Sequence, residues 1–138
     1  MLVSIDQVEG KVPVSIITLR GELDASNYEL LIDKAREVYQ SGERYLLLDM
    51  SELNFMSSAG LVALHSVALL FRGEAPHDLE SGWDAFHAIG RDLDSGFQPS
   101  VKLLNPQTRV SDTLQKTGFN RFFEIYSDQQ TALDSFRP

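Results

Sequence analysis

The sequence contains no cysteine. That excludes disulfides, thiolate metal ligands and a thiol nucleophile. No apolar run approaches the roughly 20 residues needed to span a bilayer. The amino terminus, Met1-Leu2-Val3-Ser4-Ile5-Asp6, lacks the basic start and long apolar stretch of a signal peptide. Basic residues are scarce: 12 Lys and Arg stand against 20 Asp and Glu, a net charge of −8. This disfavours nonspecific nucleic-acid binding, which needs a basic surface, and docking on anionic membranes. Phosphate loops of the GxGxxG or GxxxxGK[ST] type are missing. The three histidines, His65, His77 and His87, include no pair one helical turn apart, so no structural zinc is expected. A GxSxG nucleophile elbow is also missing, because Met56 stands two residues before Ser58. Nothing supplies the base and oxyanion hole of a serine hydrolase. The expectation is a soluble, acidic, cytoplasmic protein of bacterial type that is not an enzyme and holds no cofactor or metal. Its 138 residues suit one domain with a substantial core.

What is present is an orderly alternation of strand and helix patterns. Leu2 to Val8 and Val12 to Leu19 alternate apolar and polar residues around Glu9-Gly10-Lys11, which reads as a hairpin of half-buried strands. Ser26-Asn27-Tyr28-Glu29 has the form of a capping box, and Tyr28, Leu31, Ala35 and Val38 follow at helical spacing until Ser41-Gly42. Tyr45 to Met50 is apolar apart from Asp49 and suits a central strand. Leu61, Leu64, Ala68 and Phe71 mark the stripe of a second helix, which places His65 on its solvent side or edge. Val101 to Leu104 is a short strand, and Asn105-Pro106 reads as a helix start for Val110 and Leu114, ended by Thr117-Gly118. Phe122 to Tyr126 reads as a last strand, and Ser127-Asp128-Gln129-Gln130 as a capping box for a final helix with Ala132, Leu133 and Phe136. The order is ββαβαβαβα, an α/β arrangement with a mixed sheet and right-handed crossovers.

Arg72 to Ser100 interrupts this economy. It is rich in Gly, Asp and Glu and carries Pro76 and Pro99 near its ends. Leu79, Trp83 and Phe86 recur inside it at helical spacing, predicting a short amphipathic helix between two loops. That stripe either packs on the domain or anchors a partner through its aromatics.

The junction Asp49-Met50-Ser51-Glu52-Leu53-Asn54-Phe55-Met56-Ser57-Ser58-Ala59-Gly60-Leu61 carries the most chemistry. An apolar strand ends, and two hydroxyls follow at the start of an apolar helix. A helix N-terminus offers unpaired N–H groups and partial positive charge, so it accepts an added phosphate well. Ser57 and Ser58 therefore read either as helix caps or as phosphorylation sites. Asp24 and Asp49 stand out because each falls near a strand's exit; Asp24 reads either as a cap or as part of a site.

Three pieces in this order, Gly21-Glu22-Leu23-Asp24, the 49–61 junction, and Leu114-Gln115-Lys116-Thr117-Gly118-Phe119, resemble the STAS domain, and more narrowly the anti-sigma factor antagonists of bacteria. The resemblance covers 1–138 as a single domain with an inserted segment at about 72–100. It implies a mixed sheet of four or five strands with helices packed mainly on one side. It also implies a regulatory binding module. The unphosphorylated form would bind an anti-sigma factor that is a GHKL-type serine kinase. Phosphorylation of the serine two residues before the motif glycine, which is Ser58, would release it, and a metal-dependent serine phosphatase would reverse the mark. The partner face would comprise Asp24, Ser26, Asn27, Ser57, Ser58, Ala59 and Gly60. Where the best-known antagonists carry Asp before the phosphoserine, this chain has Ser57, which removes one charge and makes Ser57 an alternative acceptor. Two other readings stay open: a STAS scaffold or accessory subunit of a signalling or transporter assembly without phosphorylation, and a small-molecule or nucleotide sensor with a pocket under the insert. The expected state is a monomer or a weak dimer, formed through the sheet edge or the Trp83 region.

Overall fold

The computed structural model of the protein describes residues 1–77, 83–93 and 96–138, with the backbone alone for 83–86. Strands β1 (Leu2–Glu9) and β2 (Pro13–Leu23) form the expected antiparallel hairpin, paired from Leu2 with Arg20 to Glu9 with Pro13. Strands β3 (Leu46–Met56), β4 (Val101–Leu104) and β5 (Ile125–Tyr126) then add in chain order, each parallel to its predecessor. Helices α1 (Tyr28–Gln40), α2 (Ser58–Phe71), α3 (Trp83–Asp92), α4 (Thr108–Thr117) and α5 (Gln129–Ser135) provide the connections and the C-terminal cover.

The apolar residues divide between the two faces of this sheet. Ile17, Leu19, Leu46, Leu48, Val101 and Leu103 face α1, α2, α3 and α4 in the larger core. Val14, Ile16, Leu47 and Leu104 face α5 through Ala132, Leu133 and Phe136 in the smaller one. Among the described residues, helices therefore lie mainly on one side, with α5 alone on the other. Period-2 alternation sends successive side chains to opposite faces, and each fully buried Leu or Ile stabilises by about 1.5–3 kcal/mol. This two-sided cover makes β2 a buried strand from Val14 to Leu19 rather than the half-buried one expected.

Several boundaries differ from the sequence reading. β3 continues to Met56 instead of ending at Met50, with a register shift against β2 between Thr18 and Arg20. Asp49 Oδ1 accepts from the Ser51 N–H (3.0 Å) and hydroxyl (2.8 Å), so Asp49 serves this irregularity inside the strand and lies at no exit. The Ser26–Glu29 capping box does not form: Asn27 is the N-cap of α1, without a side-chain cap bond. At the start of α5 the cap is Asp128, not Ser127; its carboxylate accepts from the Thr131 N–H at 2.9 Å. Helix α4 begins at Thr108, because Asn105 takes a left-handed φ of 51° and gives its N–H to the Tyr126 carbonyl at 2.6 Å. The residue before a proline is in any case disfavoured in the α region. The last strand is only Ile125–Tyr126, since Phe119–Arg121 forms a 3-10 turn after Gly118, whose φ of 82° ends α4.

The 72–100 segment contains the expected short helix, α3. Leu79 lies outside the described residues, as do the side chains of Trp83 and Phe86. Ile89 is buried and Leu93 packs on the larger core. Helix α2 is buried along its whole length after Ala59, His65 included at 1% exposure, which overturns the placement of His65 toward solvent. The cause is composition: α2 is apolar all round, and such a helix is covered on every side.

Candidate functional site

Parallel pairing sets the site. Leu23 at the end of β2 is in register with Met56 at the end of β3, and the Ser57 N–H donates to the Leu23 carbonyl at 2.9 Å. The chain leaving β2 (Asp24 to Asn27) and the chain leaving β3 (Ser57 to Gly60) therefore emerge side by side.

The first loop is organised by Asp24. Its Oδ1 accepts from the Ser26 N–H (2.9 Å) and the Ser26 hydroxyl (2.5 Å). Asn27 Oδ1 accepts from the Asp24 N–H at 3.0 Å, and Asn27 Nδ2 donates to the Glu22 carbonyl at 2.8 Å. The Ser26 hydroxyl and N–H hold the Asp24 carboxyl below its ordinary range, so it is ionised at neutral pH. The order it gives the loop is present above the usual carboxylate range and lost as pH falls below it.

The second loop separates the roles of the two serines. Ser57 is the N-cap of α2, in extended conformation, and its hydroxyl accepts from the Gly60 N–H at 3.4 Å. Ser58 is the first helical residue; it is exposed, and among the described residues its hydroxyl has no hydrogen-bond partner. Gly60 is buried. A Cβ there would stand 2.6 Å from Met56 Cγ and 3.0 Å from the Leu23 carbonyl oxygen, so glycine lets the helix start press onto the ends of both strands. The seven residues expected from the sequence thus all lie on the loop after β2 or at the adjacent start of α2. Ser26, Asn27 and Ser57 use their side chains within the loops, Gly60 shapes the site from beneath, and Asp24, Ser58 and Ala59 remain at least partly accessible.

Two features adjoin these residues, the second of them a pocket under the inserted segment such as the sensor reading required. Phe55, the penultimate residue of β3, is 36% exposed and lies 5.5 Å from the Arg109 guanidinium on α4. A cleft of about 320 Å³ opens beside Ser58, lined by Leu61, Ile89, Gly90, Leu93, Thr117 and Phe119. The apolar Phe55-Met56 pair was the available signal for the first. The second depends on where α3 docks, which no local pattern fixes.

The cap assignment has a direct consequence. Ser57→Ala is expected to cost about 1 kcal/mol of stability, whereas Ser58→Ala should stay within about 0.5 kcal/mol of wild type. Urea unfolding of the two variants checks this; equal losses would mean that both hydroxyls cap the helix.

The STAS domain family matches residues 6–73. The protein carries a STAS domain. The match runs from β1 to the end of α2 and stops where the 72–100 segment begins. Over nearly the whole chain the fold is that of an anti-sigma factor antagonist from Mycobacterium paratuberculosis, with 17% identity, a TM-score of 0.69, and 99% of this chain and 94% of that one covered. The Bacillus cell fate determinant SpoIIAA in its phosphorylated form shares it too, with 18% identity, a TM-score of 0.57, and 99% and 100% coverage. At these identities the likeness is one of fold. A local match to Osmosensory protein A of Mycobacterium tuberculosis (strain ATCC 25618 / H37Rv) is 38% identical over 50 residues, 36% of this chain and 31% of that relative's length. The STAS architecture expected from the sequence, a mixed sheet with helices mainly on one face, is the one observed, with five strands. Among the described residues no helix is long and apolar enough to cross a membrane, and no group of three His, Asp or Glu is placed to hold a metal ion.

Proposed function

We propose that this STAS domain is a partner-switching regulator of the anti-sigma factor antagonist kind, a binding module rather than an enzyme. In this reading its unphosphorylated form binds an anti-sigma factor that is a GHKL-type serine kinase, and phosphorylation at Ser58 ends the binding. The observation that carries the reading is Ser58 itself: an exposed hydroxyl with no partner among the described residues, at the first position of a helix, beside the Asp24 loop. The fold shared with anti-sigma factor antagonists supports it.

A phosphate adds roughly −1.5 to −2 charges at neutral pH. At the start of α2 the N–H groups of the first turn lack intrahelical partners and favour an anion, so the fold can accept the group without rearrangement. The cost would fall on the interface, where a dianion must be desolvated against a closely packed partner. Ionised Asp24 on the neighbouring loop would add like-charge repulsion. A metal-dependent serine phosphatase would restore the binding form.

Phosphosite mapping of the protein isolated from its native cells tests this. Phosphate on Ser58, lost in Ser58→Ala and kept in Ser57→Ala, is the expected result. Phosphate on neither serine, together with a stoichiometric partner in every growth condition, would replace the switch by a constitutive scaffold. Asp24→Asn is expected to weaken partner capture while leaving the melting temperature nearly unchanged, because Asn retains an oxygen to accept from Ser26. Unchanged capture would remove Asp24 from the contact face.

A further inference from the structure

The two edges of the sheet differ. At one edge β5 has only two residues, and a short strand blunts an edge. At the other, β1 runs for eight residues and pairs with β2 without a break in register. Leu2 to Glu9 includes no proline and no lysine, and the even pairing shows no bulge, so the usual guards of a long edge are missing. Among the described residues no strand pairs with the outer side of β1.

The hairpin turn fixes which backbone groups face outward. The Gly10 N–H donates to the Val12 carbonyl at 3.1 Å, and Pro13, opposite Glu9, has no N–H to give. Glu9 and Pro13 are therefore a non-hydrogen-bonded pair, and Val8 and Val14 a bonded one. Alternation along an antiparallel ladder then commits the N–H and C=O groups of Val8, Asp6, Ser4 and Leu2 to β2. Those of Val3, Ile5 and Gln7 point away from the sheet, as a template for one more strand.

We propose that β1 is a self-association edge, where two copies of the chain pair β1 with β1, antiparallel, about a two-fold axis at Ile5. A two-fold axis perpendicular to the sheet keeps each face on its own side. Ile5 then meets Ile5 of the second copy, Val3 meets Gln7, Ser4 meets Asp6, and Leu2 meets Val8.

The side chains select both this occupant and this register. Leu2 and Ile5, exposed in the single chain, are covered by Val8 and Ile5 of the second copy. Asp6 has no hydrogen-bond or ion-pair partner among the described residues. It meets Ser4, whose Oγ accepts from Arg20 Nη1 at 3.1 Å and whose own O–H is left to donate to the incoming carboxylate. The Arg20 cation therefore lies beside each Asp6, which offsets the repulsion between the two Asp6 carboxylates, diagonal neighbours about 7–8 Å apart. Other registers lose these matches. An axis at Asp6 sets Asp6 against itself, one at Ser4 sets Leu2 against Asp6, and one at Gln7 sets Ile5 against Glu9. Like charges directly opposite destabilise a strand pair, whereas apolar pairs and hydroxyl hydrogen bonds stabilise it. The net charge of −8 on each copy opposes approach at long range, and salt screens it. The axis reverses strand direction, so the two Ser58 sites lie at opposite ends of the joined sheet and both stay accessible. The pairing does not depend on the function proposed above.

The absence of cysteine makes the test clean, since one introduced thiol reports one contact. In the proposed pair the two Ile5 Cα atoms are about 5.5 Å apart, within the span of a disulfide. The two Gln7 Cα atoms are about 13 Å apart along the strands. At physiological ionic strength, Ile5→Cys should form a covalent dimer at least about tenfold faster than Gln7→Cys, because pairing raises the local thiol concentration. By sedimentation, the mass of the wild-type protein should rise with concentration from one chain toward two. Ile5→Lys, which sets two cations opposite each other, should abolish the rise with its far-UV spectrum unchanged. Equal linking of the two cysteine variants would overturn the proposal. So would a wild-type protein that stays monomeric into the millimolar range, which would leave the edge to a strand of another protein. Either failure concerns β1 alone and leaves the Ser58 switch untouched.

Discussion

Truncating Phe122 to alanine is expected to cost about 3–5 kcal/mol and to lower the melting temperature by about 10–15 °C. Phe122 is fully buried between the 3-10 turn and α2. Its ring meets Phe123 edge-on at 4.9 Å and 87°, and lies against His65 at 5.3 Å. Its backbone is committed separately: its N–H donates to the Phe119 carbonyl at 3.0 Å, and its carbonyl accepts from the Gln98 N–H at 2.9 Å. Those bonds hold the surrounding chain in place, so the site collapses only partly and a cavity remains. The loss reaches further than packing. The Phe122 ring helps keep water from His65, and burial is the main reason the His65 pKa is depressed. Its removal should move that pKa back toward the ordinary value. Differential scanning calorimetry of Phe122→Ala against Leu2→Ala, whose side chain is 70% exposed, provides the contrast; Leu2→Ala should change stability by no more than about 0.5 kcal/mol. Similar, small losses in both would mean that the 3-10 turn does not anchor the core.

Much of this architecture was legible in the chain. The alternation of period-2 and helical patterns is carried by residues whose burial is decided locally, such as Ile17, Leu48, Leu31 and Val110. The Ser57–Ser58 junction was legible because an apolar strand and an apolar helix meet there with little between them. What was not legible depended on competition between nearby groups or on distant packing. The expected capping boxes failed because a better acceptor lay close by. Asp24 takes the Ser26 N–H and hydroxyl, and Asp128 takes the Thr131 N–H. The length of β3 was hidden because Asp49 and Ser51 satisfy each other at an irregularity that lets the strand continue. His65 was misplaced because α2 has no polar face against which to orient it. Its partners His77 and Asp92 come from a segment whose path over α2 no local pattern determines.

Ser58→Asp is expected to weaken partner binding about a hundredfold, equivalent to about 3 kcal/mol, while the melting temperature stays within a few degrees of wild type. The two effects separate because Ser58 faces outward. Its hydroxyl has no partner among the described residues, so its replacement breaks no bond within the fold. A carboxylate at the first position of α2 is moreover favoured by the helix dipole. At an interface the same carboxylate must be desolvated beside ionised Asp24, where two like charges oppose a packed partner. A large fall in melting temperature would instead make Ser58 a structural residue.

Control of partner binding by Ser58 is decided by capture from native lysate with wild-type and Ser58→Asp proteins side by side, read by mass spectrometry. The expected result is a GHKL-type serine kinase held by wild type and lost with the aspartate, with both baits equally folded. Equal capture of the same partner by both would contradict it and leave Ser58 as an ordinary first-turn residue of α2.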